Sequence, residues 1–214
     1  MKTDIQLQQD VIAELKWEPS VNAAHIGVEV KDGIVTLVGH ADSYSEKWDA
    51  ERAAQRVAGV RALAVEMDVK LSTDNKRTDA DIARAAGSVL QWVAYGPKSA
   101  IKVMVEDGWI TLTGEVTWHY QKTAAAKSVR YLLGVKGVSD QIIIKPVKSA
   151  GTVKSDIEAA LKRRAKADIT VDVSGSDVTL SGKVLSWSER ELAGESAWGT
   201  SGVSSVANNI TVAY

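Results

Sequence analysis

The side chains of this 214-residue chain with chemistry to offer are three histidines, seven tryptophans and several groups of basic residues. A metal centre needs several ligands converging on one point. His25, His40 and His119 fall at different positions of the repeating pattern set out below, and none shows a second ligand at helical or hairpin spacing. Solvated loop or edge histidines are therefore expected, and no metal site. The absence of Cys removes disulfides and thiolate ligands. No G-x-S-x-G elbow, phosphate-binding loop or G-x-G-x-x-G is present. No catalytic residue and no cofactor is assigned, and the expectation is a protein that is not an enzyme.

Charge points elsewhere. The net charge of −1 hides a polarised chain. Residues 1–75 carry 8 basic and 13 acidic side chains, 76–150 carry 11 and 6, and 151–214 carry 7 and 8. A basic segment suits an anionic lipid surface, where each nearby Lys or Arg contributes roughly 1 kcal/mol, or the acidic segment of its own chain or a neighbour. In the basic segment Lys98, Lys102 and Trp109 are candidate lipid or anion contacts. In the last segment Lys162, Arg163, Arg164 and Lys166 are, although cations at a helix end also complement its dipole. The overall pI near 6.3 lacks the clustered basic face of nucleic-acid binders, so nucleic acid is not an expected partner.

These residues sit on a threefold internal repeat, the feature to seek before any other. VKDGIVTLVG begins at Val30, VEDGWITLTG at Val105 and VSGSDVTLSG at Val173, ending in Gly39, Gly114 and Gly182. Twenty residues later stand Gly59, Gly134 and Gly202. Ile26, Val28 and Val30 alternate with polar or small residues, as do Ile101, Val103, Val105 and Ile169, Val171, Val173, which predicts a strand buried on one face. Asp32-Gly33 and Asp107-Gly108 predict tight hairpins, with Ser174 to Asp177 a less strict version. Ser43 with Glu46 and Ser186 with Glu189 predict capping boxes. A helix with small residues follows (Ala50, Ala53, Ala54 in copy one), then a helix-ending glycine and a last strand. Upstream of each hairpin, Leu7, Val11 and Leu15, then Ile82, Ala86 and Leu90, then Val153, Ile157 and Leu161 predict a first helix. The unit is α-β-β-α-β, and the copies are placed at 1–72, 77–147 and 152–214.

Within this frame Trp109 stands where the other copies have Ile34 and Asp177, so an exposed ring is expected there. Trp17 and Trp92 are equivalent in two copies, and core or domain–domain packing is expected for them. The six repeated glycines are read as structural, with a ligand groove as the alternative.

The D-G-x-[VI]-T-L-x-G core, followed by G-V-x-x-[VL] before an alternating strand, resembles the BON domain family, three times across the chain. The resemblance implies an α+β fold: three tandem α-β-β-α-β domains, each a small three-stranded mixed sheet with both helices on one face. It also implies non-catalytic roles in phospholipid or membrane-surface binding, envelope maintenance and the osmotic-stress response. The expected partner is an anionic phospholipid surface or envelope component, with self-association possible. A protein-interaction scaffold built from the oppositely charged repeats, or a small-ligand or ion sensor, is the alternative. Asp4, Gln6, Gln8, Gln9 and Asp10 interrupt any signal-like apolar stretch, and no window reaches membrane-spanning length. A cytoplasmic location is expected for the sequence as it stands, and a periplasmic one if a signal peptide has been removed.

Overall fold

The computed structural model describes residues 2–93, 101–164 and 169–212, with Val93 and Arg164 described in backbone only. Its elements follow the repeat. Copy one comprises α1 (Asp4–Trp17), β1 (Ile26–Lys31), β2 (Ile34–Ala41), α2 (Tyr44–Gln55) and β3 (Ala62–Val69). Copy two comprises α3 (Asp79–Val93), β4 (Ile101–Glu106), β5 (Trp109–Val116), α4 (His119–Arg130) and β6 (Gly137–Ile144). Copy three comprises α5 (Ala150–Arg164), β7 (Ile169–Ser174), β8 (Asp177–Val184), α6 (Trp187–Trp198) and β9 (Ser205–Val212). The fold is α+β, with three separate three-stranded sheets ordered β1-β2-β3, β4-β5-β6 and β7-β8-β9. By its contacts the chain divides into two compact units: 1–86 with 105–110 and 129–138, and 87–104 with 111–128 and 139–214.

In the first and third sheets the leading pair is antiparallel and the trailing pair parallel. Parallel neighbours need a crossover, which α2 and α6 supply. Val28 and Leu37 lie opposite each other and turn inward onto Leu7, Val11 and Leu15 of α1 and Ala50, Ala53 and Ala54 of α2. Copy three repeats this core with Val171, Val178, Leu180, Ile157, Ala193 and Ala197. The alanines let the second helix lie close to the sheet, while the first helix fills the remaining volume with branched chains.

The hairpins are fixed from outside the turn. Asp32 and Gly33 both take positive φ (53° and 75°), as do Asp107 and Gly108 (50° and 81°), the pattern of a type I′ turn. Such a turn aims two amides outward, and a helix carboxylate accepts both. Asp4 takes the Asp32 and Gly33 amides at 2.8 and 3.1 Å, and Asp79 takes those of Asp107 and Gly108 at 2.9 Å each. Copy three changes turn and clamp together. Gly175 alone has positive φ, as in a type II′ turn, and Ala150 stands at the first helical residue in place of the aspartate.

The capping boxes form in a shifted way. The Ser43 and Ser186 hydroxyls accept the Glu46 and Glu189 amides at 3.1 and 3.2 Å. The glutamates, however, reach one residue further back, to the amides of Asp42 and Leu185. Gly39, with φ of 120°, is required by close approach: a Cβ there would stand 2.2 Å from the His25 carbonyl oxygen. Gly59, Gly114, Gly134, Gly182 and Gly202 share a positive φ. Among the described residues, no helix is long and apolar enough to cross a membrane.

Candidate anion-binding groove

The unit containing copy one holds a shallow groove lined by Lys47, Met67, Asp68, Val69, Lys70, Trp109 and Lys136. Trp109 opens β5 on the face opposite the buried Ile110 and Leu112. Its indole lies flat over Gly137, where an added Cβ would fall 2.4 Å from ring carbons. The glycine thus makes the shelf on which the ring rests. The ring is 53% exposed, as expected from its variable position.

The lysines reach the groove for different reasons. Lys47 on α2 donates to the Met67 carbonyl at 2.7 Å, and this contact recurs as Lys122 to Ile142 at 2.6 Å and Arg190 to Ile210 at 3.0 Å. A cation tying the second helix to the last strand is therefore part of the fold in all copies. Lys70 and Lys136 follow β3 and precede β6, and their backbone amides donate to Ala41 and Gly108. Among the described residues their ammonium groups have neither an ion-pair nor a hydrogen-bond partner. An adjoining groove shares Val69, Lys70 and Lys136 and adds Lys76 and Arg77. Its Asp79 already spends both carboxylate oxygens on the Asp107 and Gly108 amides. This arrangement can hold a phosphate or carboxylate beside an aromatic face. It presents no nucleophile paired with a base.

Of the residues singled out in the sequence, Trp109 lines this groove. Lys102 is exposed on β4, and Lys162 and Arg163 are exposed at the end of α5; none of the three is among the lining residues. Lys98 and Lys166 lie outside the described residues, and Arg164 is described only as the last residue of α5. Lys47, Lys70 and Lys136 were not singled out. Lys47 leaves a sequence signal, since a basic residue recurs at 122 and 190. Lys70 and Lys136 leave none.

Two expectations need correction. Trp17 and Trp92 are not packed: they are 80% and 83% exposed. Each follows the last buried leucine of its helix, Leu15 or Leu90, by two residues, and two residues turn a helix by about 200°. The histidines are not isolated either. The β1–β2 register pairs Ile26 with Gly39, so one step beyond the ladder His25 faces His40. Their rings stack 4.5 Å apart at 17°. His119 is no solvated histidine: its ring stacks on Trp198 at 3.9 Å. Burial, then the charge of Lys122, pushes its pKa below the ordinary imidazole value, with Asp140 opposing.

The BON domain family model matches residues 3–70, 78–146 and 149–214. Among curated proteins, none matches this sequence. Among solved structures, the chain is similar to the C-terminal domain of CdsD, a structural protein of the type III secretion system of Chlamydia trachomatis. That likeness has 13% identity and a TM-score of 0.29, over 100% of both chains. It is also similar to the periplasmic domain of PrgH, the type III secretion inner membrane protein of S. typhimurium, with 13% identity and a TM-score of 0.24, over 89% of this chain and 94% of that one. Scores this low carry no argument about function. Three family matches spanning nearly all of the chain do carry one about kinship: the protein belongs to the BON domain family, with three copies in tandem.

Proposed function

We propose that this chain is a non-catalytic binder of anionic phospholipid surfaces, of the kind its family resemblance associates with the bacterial envelope and osmotic stress. The observation that carries the reading is the meeting of an exposed indole, Trp109, with two ammonium groups that have no partner among the described residues, Lys70 and Lys136, in one open groove. Phosphate headgroups satisfy the lysines, while an amphipathic ring suits the boundary between headgroups and acyl chains. Trp17 and Trp92, repeated yet exposed, supply further rings of the same kind. Several modest contacts on one tethered chain add by avidity when they reach the same surface.

The test is flotation of the full chain with neutral vesicles and with vesicles containing anionic lipid. Binding is expected only to the anionic vesicles, and it weakens as salt screens the lysines. Lys70→Glu with Lys136→Glu lowers the bound fraction by about tenfold or more. Equal flotation with neutral and anionic vesicles would remove the reading.

A further inference from the structure

We infer that His25, His40 and Asp42 of copy one form a site for a borderline divalent cation of the Zn²⁺ or Cu²⁺ class. The site is distinct from the anion-binding groove and does not depend on it. Each of the three side chains offers one ligand atom, and these atoms all lie within 4.8 Å of one another. Two imidazoles and a carboxylate form the donor set that suits these ions, whereas Mg²⁺ and Ca²⁺ ask for oxygen. Metal–nitrogen bonds of about 2.0–2.1 Å place tetrahedral ligand atoms roughly 3.3 Å apart. The required closure is therefore at most about 1.5 Å (4.8 − 3.3), within reach of side-chain rotation. Three protein ligands leave at least one position for water or an outside donor.

The backbone under these ligands is already held. Glu46 accepts the Asn22 amide at 2.7 Å with one carboxylate oxygen and the Asp42 amide at 2.8 Å with the other. One side chain thus ties the segment leading to His25 to the residue that supplies the carboxylate. Asn22 Oδ1 accepts the Ala24 amide and starts the short 3-10 turn that ends at His25. Asn22 Nδ2 lies 3.4 Å from His25 Nδ1, and ligation through Nε2 would put the ring proton on Nδ1 and release this contact on metal binding. Gly39 lets the His25 carbonyl approach its Cα closely, so the two histidine backbones sit flush. Supports of this kind around a ligand set raise metal affinity because little ordering remains to be done on binding.

The set is peculiar to copy one. At the offsets of 75 and 68 that relate the copies, the matching residues are Ala100, Glu115 and Thr117, then Asp168, Lys183 and Leu185. Neither trio can hold such an ion, so one equivalent per chain is expected.

The experiment is isothermal titration of the untagged, metal-free full chain with Zn²⁺, paired with electron paramagnetic resonance of the chain loaded with one equivalent of Cu²⁺. A stoichiometry of one and a spectrum with nitrogen coordination are expected. His25→Gln and His40→Gln each weaken binding by about 10- to 100-fold, Asp42→Asn weakens it less, and His119→Gln leaves it unchanged. Metal-free melting curves compare the folding of each variant with that of the parent. Should His40→Gln fail to fold, His25→Gln and the parent's Cu²⁺ spectrum decide the matter alone. No uptake by the parent chain, uptake unchanged in His25→Gln, or a Cu²⁺ spectrum without nitrogen would each overturn the site.

Discussion

The two units each contain a place where the second helix of one copy meets the next copy, and the two places share one stacking position with different chemistry on it. In the first unit Tyr44 and Trp48 of α2 meet copy two: the Arg130 guanidinium lies 3.6 Å over the Trp48 ring. The Tyr44 phenol is pushed above its ordinary pKa by burial, while the Val138 backbone amide, which hydrogen-bonds its oxygen, pulls the other way. In the second unit His119 of α4 stacks on Trp198 of α6, and Thr117 accepts the Gly202 amide at 2.8 Å. The offsets of 75 and 68 make Tyr44 equivalent to His119, and Arg130 equivalent to Trp198. Trp48 itself corresponds to Thr123, so the guanidinium-on-indole contact of one unit and the imidazole-on-indole contact of the other share the Arg130 and Trp198 position but not the position of its partner. What repeats is a flat face against a flat face, not a residue type.

Face-on stacking also explains a shared blemish. The Arg130 Nε and His119 Nδ1 atoms are buried without a hydrogen-bond partner among the described residues. A ring or guanidinium packed by its face leaves its edge nitrogens where the neighbouring backbone happens to be. Each junction thus stores some unmet hydrogen bonding, and the stacking has to exceed it. Charge complementarity between acidic copy one and basic copy two enters weakly. The Glu51 carboxyl is pushed up by burial, and Lys47 and Arg130 only oppose that.

The largest effect expected is from Trp48→Ala. It removes a half-buried indole and strips Arg130 of the face it covers, for a loss of about 2 kcal/mol in urea unfolding. Trp198→Ala in the second unit is expected to lose about 1 kcal/mol, because a neutral imidazole left without its ring is readily hydrated. A loss from Trp198→Ala equal to or larger than that from Trp48→Ala would break the ranking of the two junctions.

A smaller effect separates the junctions by pH. His119 titrates below its ordinary 6.5. Between its folded and unfolded values the unfolded chain therefore binds more protons. Its contribution to stability is complete above about pH 6.5 and disappears as the pH falls through the folded value. His119→Phe should flatten part of the loss between pH 7 and pH 5, whereas Trp48→Ala should leave the slope as it is. Thermal melts at several pH values measure both, and a His119 NMR titration midpoint at or above 6.5 would contradict the cause.

Much of this is readable in the sequence. The copies, hairpins and first-helix cores follow from residues that recur at fixed offsets, such as Leu7, Ile82 and Val153. The histidine pair is readable too. A two-residue turn at Asp32-Gly33 pairs residues whose numbers sum to 65, and 25 and 40 do so. Recurrence alone does not imply burial for Trp17 and Trp92, because helix geometry sets them opposite Leu15 and Leu90. The Asp4 and Asp79 clamps stand 75 apart and vanish with the Asp-Gly turn in copy three, a correlated signal that needed the turn amides to be counted. The groove was not readable. Trp109, Lys70 and Lys136 converge only because parts of copies one and two pack within one unit, and no spacing along the chain encodes that.

The smallest expected effect tests whether the junction position asks for shape or for charge. Arg130→Lys keeps the cation but loses the plane that lies 3.6 Å over Trp48. A flexible ammonium stacks poorly and prefers water, so a cost of about 0.5–1 kcal/mol is expected. Arg130→Trp does the opposite: it discards the charge and installs the residue that copy three carries at this position. If flat faces are what repeat, Arg130→Trp should cost no more than Arg130→Lys in the same unfolding assay. If the lysine variant matches the parent while the tryptophan variant loses more than about 1 kcal/mol, the two junctions are alike in position only and the charge of Arg130 holds the first together.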